Sequence, residues 1–287
     1  MTPSTATAVR DAAPELPIHV IEPSRTWMPL QFGEIWAYRE LLYFLVWREI
    51  KVRYKQTGLG IAWAVIQPVF TMIVFTVVFG KLGKLPSDGV PYPVFAYCAL
   101  LPWQLFAFAL SESSNSVVAN QRVITKVYFP RLIVPLAAVF VGVADFVVSF
   151  GVLLVLMAYY HMVPGWAVLT LPLWTLLAVT TAFAMGLWLS ALNVRYRDVR
   201  YVLPFVTQMW LFATPVAYSS SIVPVEWRPL YALNPMVGVV EGFRWALLSN
   251  TSRPSLMVLA SAAVVLLILV GGLFYFRRTE RTFADLV

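Results

Sequence analysis

The sequence predicts an all-α integral membrane protein: six transmembrane helices, an N-terminal amphipathic interface helix, and short re-entrant outer helices before the last span. Composition points there first. Of 287 residues, 60% are hydrophobic and only 12% charged, with a mean hydropathy of +0.75. Soluble domains carry about 25% charge. Next come uncharged apolar runs of about twenty residues, the length that crosses a hydrocarbon core of about 30 Å at about 1.5 Å per residue. The runs are continuous and lack the alternation of lipid-facing strands, which argues against a barrel. Finally, Lys and Arg gather at alternate ends of these runs, as they do when they stay cytoplasmic.

In chain order, residues 1–30 hold Pro3, Pro14, Pro17, Pro23 and Pro29 with little apolar periodicity, and read as a flexible cytoplasmic tail. The absence of an apolar h-region argues against a cleaved signal peptide. Residues 31–56 read as the interface helix. At 100° per residue, Glu40, Arg48, Lys51 and Lys55 share one face, and Ile35, Tyr38, Leu41, Leu42, Leu45 and Val52 share the other. Such a helix lies in the interface plane with its cationic face toward anionic headgroups. Glu49 and Arg53 stand at the spacing of an i, i+4 pair. Residues 57–287 form the six-span domain. The spans fall at about 58–80, 94–118, 132–160, 166–192, 201–218 and 256–276. Basic loops at 119–131 and 193–200 and the basic tail after Phe276 return inside. Sixteen of the 21 Lys and Arg then lie inside, and five (Lys81, Lys84, Arg228, Arg244 and Arg253) outside, which predicts both termini to be cytoplasmic. The apolar piece 237–248 is too short to cross. It reads as re-entrant, with its backbone shielded against protein.

The net charge of +7 invites a nucleic-acid reading. Placement opposes it, because the charges flank spans and form no single basic face. Cys98 is the only cysteine, so no internal disulfide forms, and His19 and His161 stand far apart. Gly80-Lys81 and Gly83-Lys84 are each followed by Leu, so neither belongs to a phosphate-binding Gly-Lys-Ser/Thr loop. There is no His-Glu-x-x-His and no Gly-x-Ser-x-Gly. The chain is expected to be no enzyme and to hold no cofactor or metal.

Ionisable residues inside spans are costly and often functional. Asp145 falls near the middle of the third span. Glu112 falls in the second, within a polar patch of Ser111, Ser113, Ser114 and Asn115. Two readings stay open: a proton or cation relay, or helix-to-helix hydrogen bonding. Aromatic residues make up 15% of the chain. Trp63, Phe70, Trp103, Phe106, Phe108, Trp210, Phe212 and Tyr218 stand where a pathway could run, and each ring taken singly also suits a core or an interface belt.

Three ordered stretches together resemble a known family. They are Arg53-Tyr54-Lys55-Gln56-Thr57-Gly58-Leu59-Gly60 with Trp63 and Pro68 beyond it, the inner loop Asn193-Val194-Arg195-Tyr196-Arg197-Asp198-Val199, and an outer segment. The last contains Thr214-Pro215-Val216, Tyr218, Leu233-Asn234-Pro235-Met236 and Phe243-Arg244. The chain resembles, over roughly residues 35–280, the membrane permease subunit of type-two ATP-binding-cassette polysaccharide exporters, which export O-antigen, teichoic acid or capsule.

The resemblance implies a homodimer, each copy paired with a nucleotide-binding ATPase subunit that holds ATP and Mg, extruding a lipid-linked glycan. It makes Gln121, Arg122, Lys126, Tyr128, Phe129 and Arg131, with Arg195, Tyr196, Arg197 and Asp198, contacts of that ATPase. Arg and aromatic anchors dominate such interfaces. It makes the first and fifth spans line the pore. There Trp63, Gln67 and Phe70 recur at helical spacing, as do Gln208 and Phe212, with Tyr218 beyond. Arg48, Lys51, Arg53 and Lys55 lie where a lipid pyrophosphate approaches. Three alternatives stay open: a drug or lipid exporter of the same fold, an ion-coupled carrier built on Glu112 and Asp145, and a membrane scaffold. The absence of an evident internal repeat counts against the carrier.

Overall fold

The computed structural model describes residues 32–55, 62–248, 257–280 and 283, and regular structure among them is entirely helical. The expected tail over residues 1–30 lies outside the described residues. Helices α1 (Phe32–Ala37) and α2 (Arg39–Lys55) replace the single helix expected there. The break at Tyr38 is slight: its N–H still reaches the Glu34 carbonyl at 3.0 Å. Leu45 is buried while Ile35, Tyr38, Leu41 and Leu42 are half-buried, in keeping with an inward apolar face. Val52 departs from it and is exposed. The outward side is strongly aromatic, with Tyr43, Phe44 and Trp47 beside Lys51.

Helix α3 (Ala62–Phe75) continues as a π-helical segment, Thr76–Leu82. Gly80 lies there against the Tyr92 ring, where a Cβ would come within 2.8 Å. Helix α4 (Tyr92–Ala119) is the axis of the bundle. Its most apolar stretch is 78% buried, against 11% for residues 62–82. Around it stand α6 (Ile133–Tyr159) and α7 (Leu171–Arg195), the latter led in by the 3-10 turn Trp166–Thr170. Gly186 of α7 faces Ser113 of α4 so closely that a Cβ would sit 2.3 Å from the hydroxyl. Small residues are what let helix backbones approach within a membrane. Helix α11 (Met257–Glu280) packs on α7. Trp188 stacks on Tyr275 at 4.8 Å, and its indole N–H donates to the Ile268 carbonyl at 3.0 Å.

The fifth span differs from expectation. Helix α8 (Val199–Phe212) has 14 residues, about 21 Å at the helical rise. Residues 213–218 turn instead of extending it to the expected end at 218. The Thr214 hydroxyl bonds back to the Trp210 carbonyl at 3.0 Å, and Asn234 donates to the Ala213 carbonyl at 3.3 Å. Pro215 offers no N–H with which to prolong the ladder. Among the described residues, five helices are therefore long and apolar enough to cross a membrane: Ala62–Leu82, Tyr92–Ala119, Ile133–Tyr159, Trp166–Arg195 and Val258–Glu280. The last outruns its expected end at 276.

After α8 come α9 (Arg228–Ala232) and α10 (Pro235–Leu247). α10 occupies the piece expected to be re-entrant and is buried along nearly its whole length against α4, α7 and α11. Trp174 of α7 lies over Gly242, where a Cβ would meet the ring at 2.2 Å.

Candidate functional site

An ion-pair cluster joins α2 to the middle of α6. Arg53 reaches Asp145 at 3.0 Å, and the Tyr54 hydroxyl donates to the other oxygen of the same carboxylate. Burial, aided by that hydrogen bond, pushes the Tyr54 phenol above its ordinary value, so the hydroxyl keeps its proton and stays the donor. The Arg53 guanidinium also lies over the Phe108 ring at 4.2 Å. Glu49 pairs with Arg48 at 2.5 Å, in place of the expected i, i+4 partner Arg53, and Arg48 also donates to Asn120 at 2.8 Å. Thus two of the four cations expected to meet a pyrophosphate are held by carboxylates of this chain. Lys51, over the Trp47 ring at 5.1 Å, and Lys55 are exposed.

Arg53 stands between two cavities. One, of about 560 Å³, is lined by Arg53, Tyr54, Trp63, Gln67, Gln104 and Asp145, among others. The second, of about 250 Å³, is lined by Arg48, Glu49, Arg53, Glu112 and Asn115, among others. Paired amides beside indole rings form hydrogen bonds with hydroxyls and stack on C–H faces. Of the expected pore residues, the structure brings only Trp63 and Gln67 into the larger cavity. Phe70, Gln208 and Phe212 are exposed on α3 and α8. The Tyr218 hydroxyl, in contrast, is tied to the Phe212 carbonyl and to Tyr231, each at 3.0 Å. Trp103, Phe106 and Trp210 form an edge-on cluster, with Trp210 at 6.4 Å and 5.0 Å from the other two. Trp103 and Phe106 are buried core.

The expected docking residues divide. Gln121, Arg122, Lys126 and Tyr128 are exposed, and so are Arg195, Tyr196, Arg197 and Asp198. Gln121 and Arg122 belong to the short helix α5 (Gln121–Ile124). Phe129 is 4% exposed, so its ring fills this chain's own interior and offers nothing to a partner pocket. Arg131 donates to the Glu280 carbonyl and lies over Phe283 at 5.9 Å.

At the end of the bundle opposite these residues, the outer-segment residues form one hydrogen-bonded knot. Arg244, buried, donates to the Val216 carbonyl at 3.0 Å and the Tyr218 carbonyl at 3.1 Å, over the Phe95 ring at 3.6 Å. Burial lowers its pKa to about 10, still well above neutrality, so it remains a cation. Asn234 caps α10 through the Met236 N–H at 3.1 Å, accepts from the Trp210 indole at 2.9 Å and donates to Thr214 at 3.1 Å. The sequence marked these residues only as a resemblance. Their joint role as the fastening of the α8 end has no signal in spacing. Gln104 and Ser149 also escaped notice, and Asn193 stood out only as the first residue of the inner-loop stretch. Asn193 donates to the Ser114 carbonyl at 3.1 Å and to the Asn115 side chain at 3.0 Å, which accounts for part of the polar patch on α4.

This arrangement fastens helices and lines cavities, and no described cluster of His, Cys, Asp or Glu is placed to hold a metal. It defines a multi-pass membrane protein whose polar residues fasten its helices to one another. The chain belongs to the ABC-2 type transporter family, whose model matches residues 40–248. It is 33% identical over 253 residues to the O-antigen export system permease protein RfbA of Myxococcus xanthus, covering 86% of this chain and 96% of that protein. The protein of the same description from Klebsiella pneumoniae is 26% identical over 249 residues, 86% of this chain and 95% of its own length. The polysialic acid transport protein KpsM of Escherichia coli is 23% identical over 237 residues, 81% and 91% of the two chains.

Proposed function

We propose that this chain is the transmembrane subunit of an ATP-driven exporter that moves a lipid-linked polysaccharide across the cytoplasmic membrane, as a homodimer with a separate ATPase chain. The observation that carries this reading is similarity along nearly the whole length of permeases named for O-antigen and polysialic acid transport. Several structural features support it. α3 and α8 are little enclosed: only Pro68 and Phe75 of α3, and Leu203 of α8, are buried. Their bare apolar and aromatic flanks suit a second copy across a shared pore. A helix as short as α8 gains the cover it lacks in the same way. The exposed residues of 121–128 and 195–198 suit an ATPase surface carrying acidic and apolar ground. Helices α1 and α2 then form the interface segment and residues 57–287 the permease domain, with α8 as a sixth, partner-supported span. ATP and Mg belong to the partner.

Arg53 is the residue through which a lipid phosphate engages the chain. Phosphate matches a guanidinium at least as well as a carboxylate does, so an arriving headgroup competes with Asp145 while Lys51 and Lys55 guide its approach. The test is depletion of this chain in its own bacterium. Lipid-linked glycan then accumulates on the cytoplasmic side and vanishes from the surface. Unchanged surface glycan refutes the reading.

A further inference from the structure

The end of α11 is joined to the segment that carries the proposed docking residues. Between α4 and α6, the stretch 121–131 presents Arg122, Lys126 and Tyr128 outward, while Ile124 and Phe129 point inward and are 5% and 4% exposed. Arg131, at the base of this stretch, reaches across to α11. Its guanidinium donates to the carbonyl of Glu280, the last residue of that helix, and lies over the Phe283 ring at 5.9 Å. A cation is favoured at a helix C-terminus, where carbonyls lack helical partners and the dipole is negative. Phe283 is itself fully buried and packs edge-on against Phe276 at 5.3 Å. The adjoining turn of α11 is pinned by the Arg277–Glu280 pair at 3.4 Å, and both side chains are mostly buried. α11 is packed along α7, whose inner end leads into residues 195–198. The last turn of α11 therefore touches one docking stretch directly, and the helix it ends is packed along the one that carries the other.

We propose that Phe283 and the C-terminal turn of α11 act as a strut. They fix Arg131, and through it residues 121–128, at a set height and angle, without touching the partner. Arg131 and Phe283 are positioning residues. This assigns Arg131 an inward role in place of the partner contact expected from its charge. It also gives Phe283 and the end of α11 a part in coupling. The consequence for ATP-driven work rests on the docking reading above; the strut itself does not.

The experiment has two arms on the full-length chain. Ile124→Cys places a thiol on the buried side of the segment, and Cys98, fully buried, stays silent. In membranes lacking the ATPase, alkylation at position 124 reports how often the segment lifts away. Phe283→Ala is expected to raise that rate about tenfold, as removal of a buried aromatic loosens a local unit. Phe283→Leu, which keeps the apolar plug, restores most of the protection. Arg131→Gln, which leaves Phe283 in place, raises the rate as well, so the result does not depend on one variant inserting correctly. In the second arm, without the reporter, the same variants are joined to the cognate ATPase, and glycan exported per ATP hydrolysed falls. A rate at position 124 that is the same in all variants overturns the strut. A raised rate with unchanged coupling upholds the strut and refutes docking through 121–128.

Discussion

Replacing Asp145 with Asn separates the two readings of the intramembrane acids. Asp145 has a side chain 17% exposed and sits 3.0 Å from Arg53, itself 42% exposed. Two unit charges at that distance attract by about 5 kcal/mol at an effective dielectric of about 20. That is the gross value. Water reaches Arg53, and exposed pairs net about 0–1 kcal/mol, while a hydrogen bond to a buried charge nets about 1.5–3 kcal/mol. The amide oxygen of the variant still accepts from Tyr54, and Arg53 keeps the Phe108 ring. The loss should therefore be about 1–2 kcal/mol, or a few degrees in Tm. Export per ATP hydrolysed should persist, with no new pH dependence. Thermal unfolding of the purified chain and glycan export measured across neutral pH check the two halves. A Tm equal to wild type together with abolished export refutes the structural role and restores a relay. Tyr54→Phe should cost about 1 kcal/mol by itself. The double variant should lose less than the sum of the single losses, because the two groups share one carboxylate.

The remaining predictions concern packing and docking. Gly242→Ala drives a methyl into the Trp174 ring, where a Cβ would sit at 2.2 Å; it should cost at least about 1–3 kcal/mol in thermal stability. Gly151→Ala, with open space at that site, should stabilise by about 0.5–1 kcal/mol in the same assay. Arg244→Lys leaves one ammonium to serve two carbonyls and forfeits the flat contact with Phe95. It should cost about 1–3 kcal/mol and raise protease cleavage of residues 213–231. Arg197→Ala, at an exposed position, should change Tm by no more than about 0.5 kcal/mol equivalent, yet lower export per ATP several-fold. Full coupling in that variant would remove Arg197 from the docking surface.

The long helices were legible because hydrocarbon imposes length and polarity on any chain that crosses it. α4, α6, α7 and α11 follow from their apolar runs, and α10 from being too short. α8 was overextended because 201–218 reads as one apolar run. Its end is set by bonds from Thr214 and Asn234, and a hydropathy profile carries no trace of them. Asp145 announced that it needed a partner but not which. The answer lies in α2, a helix whose own spacing suggested that Arg53 belonged to Glu49. Phe129 and Arg131 sit in a basic loop and look available to a partner. Only the burial of Phe129 and the hold of Arg131 on the end of α11 show that they turn inward. Motif residues such as Arg244 and Asn234 mark the family without revealing that they form one knot.

The most direct test of the central claim is affinity purification of this chain from its native membranes, followed by mass spectrometry and stoichiometry of what accompanies it. The account predicts a nucleotide-binding ATPase in equal amount, two copies of each chain, lost when the exposed residues of 121–128 and 195–198 are replaced together. A well-folded dimer that carries no ATPase would contradict it.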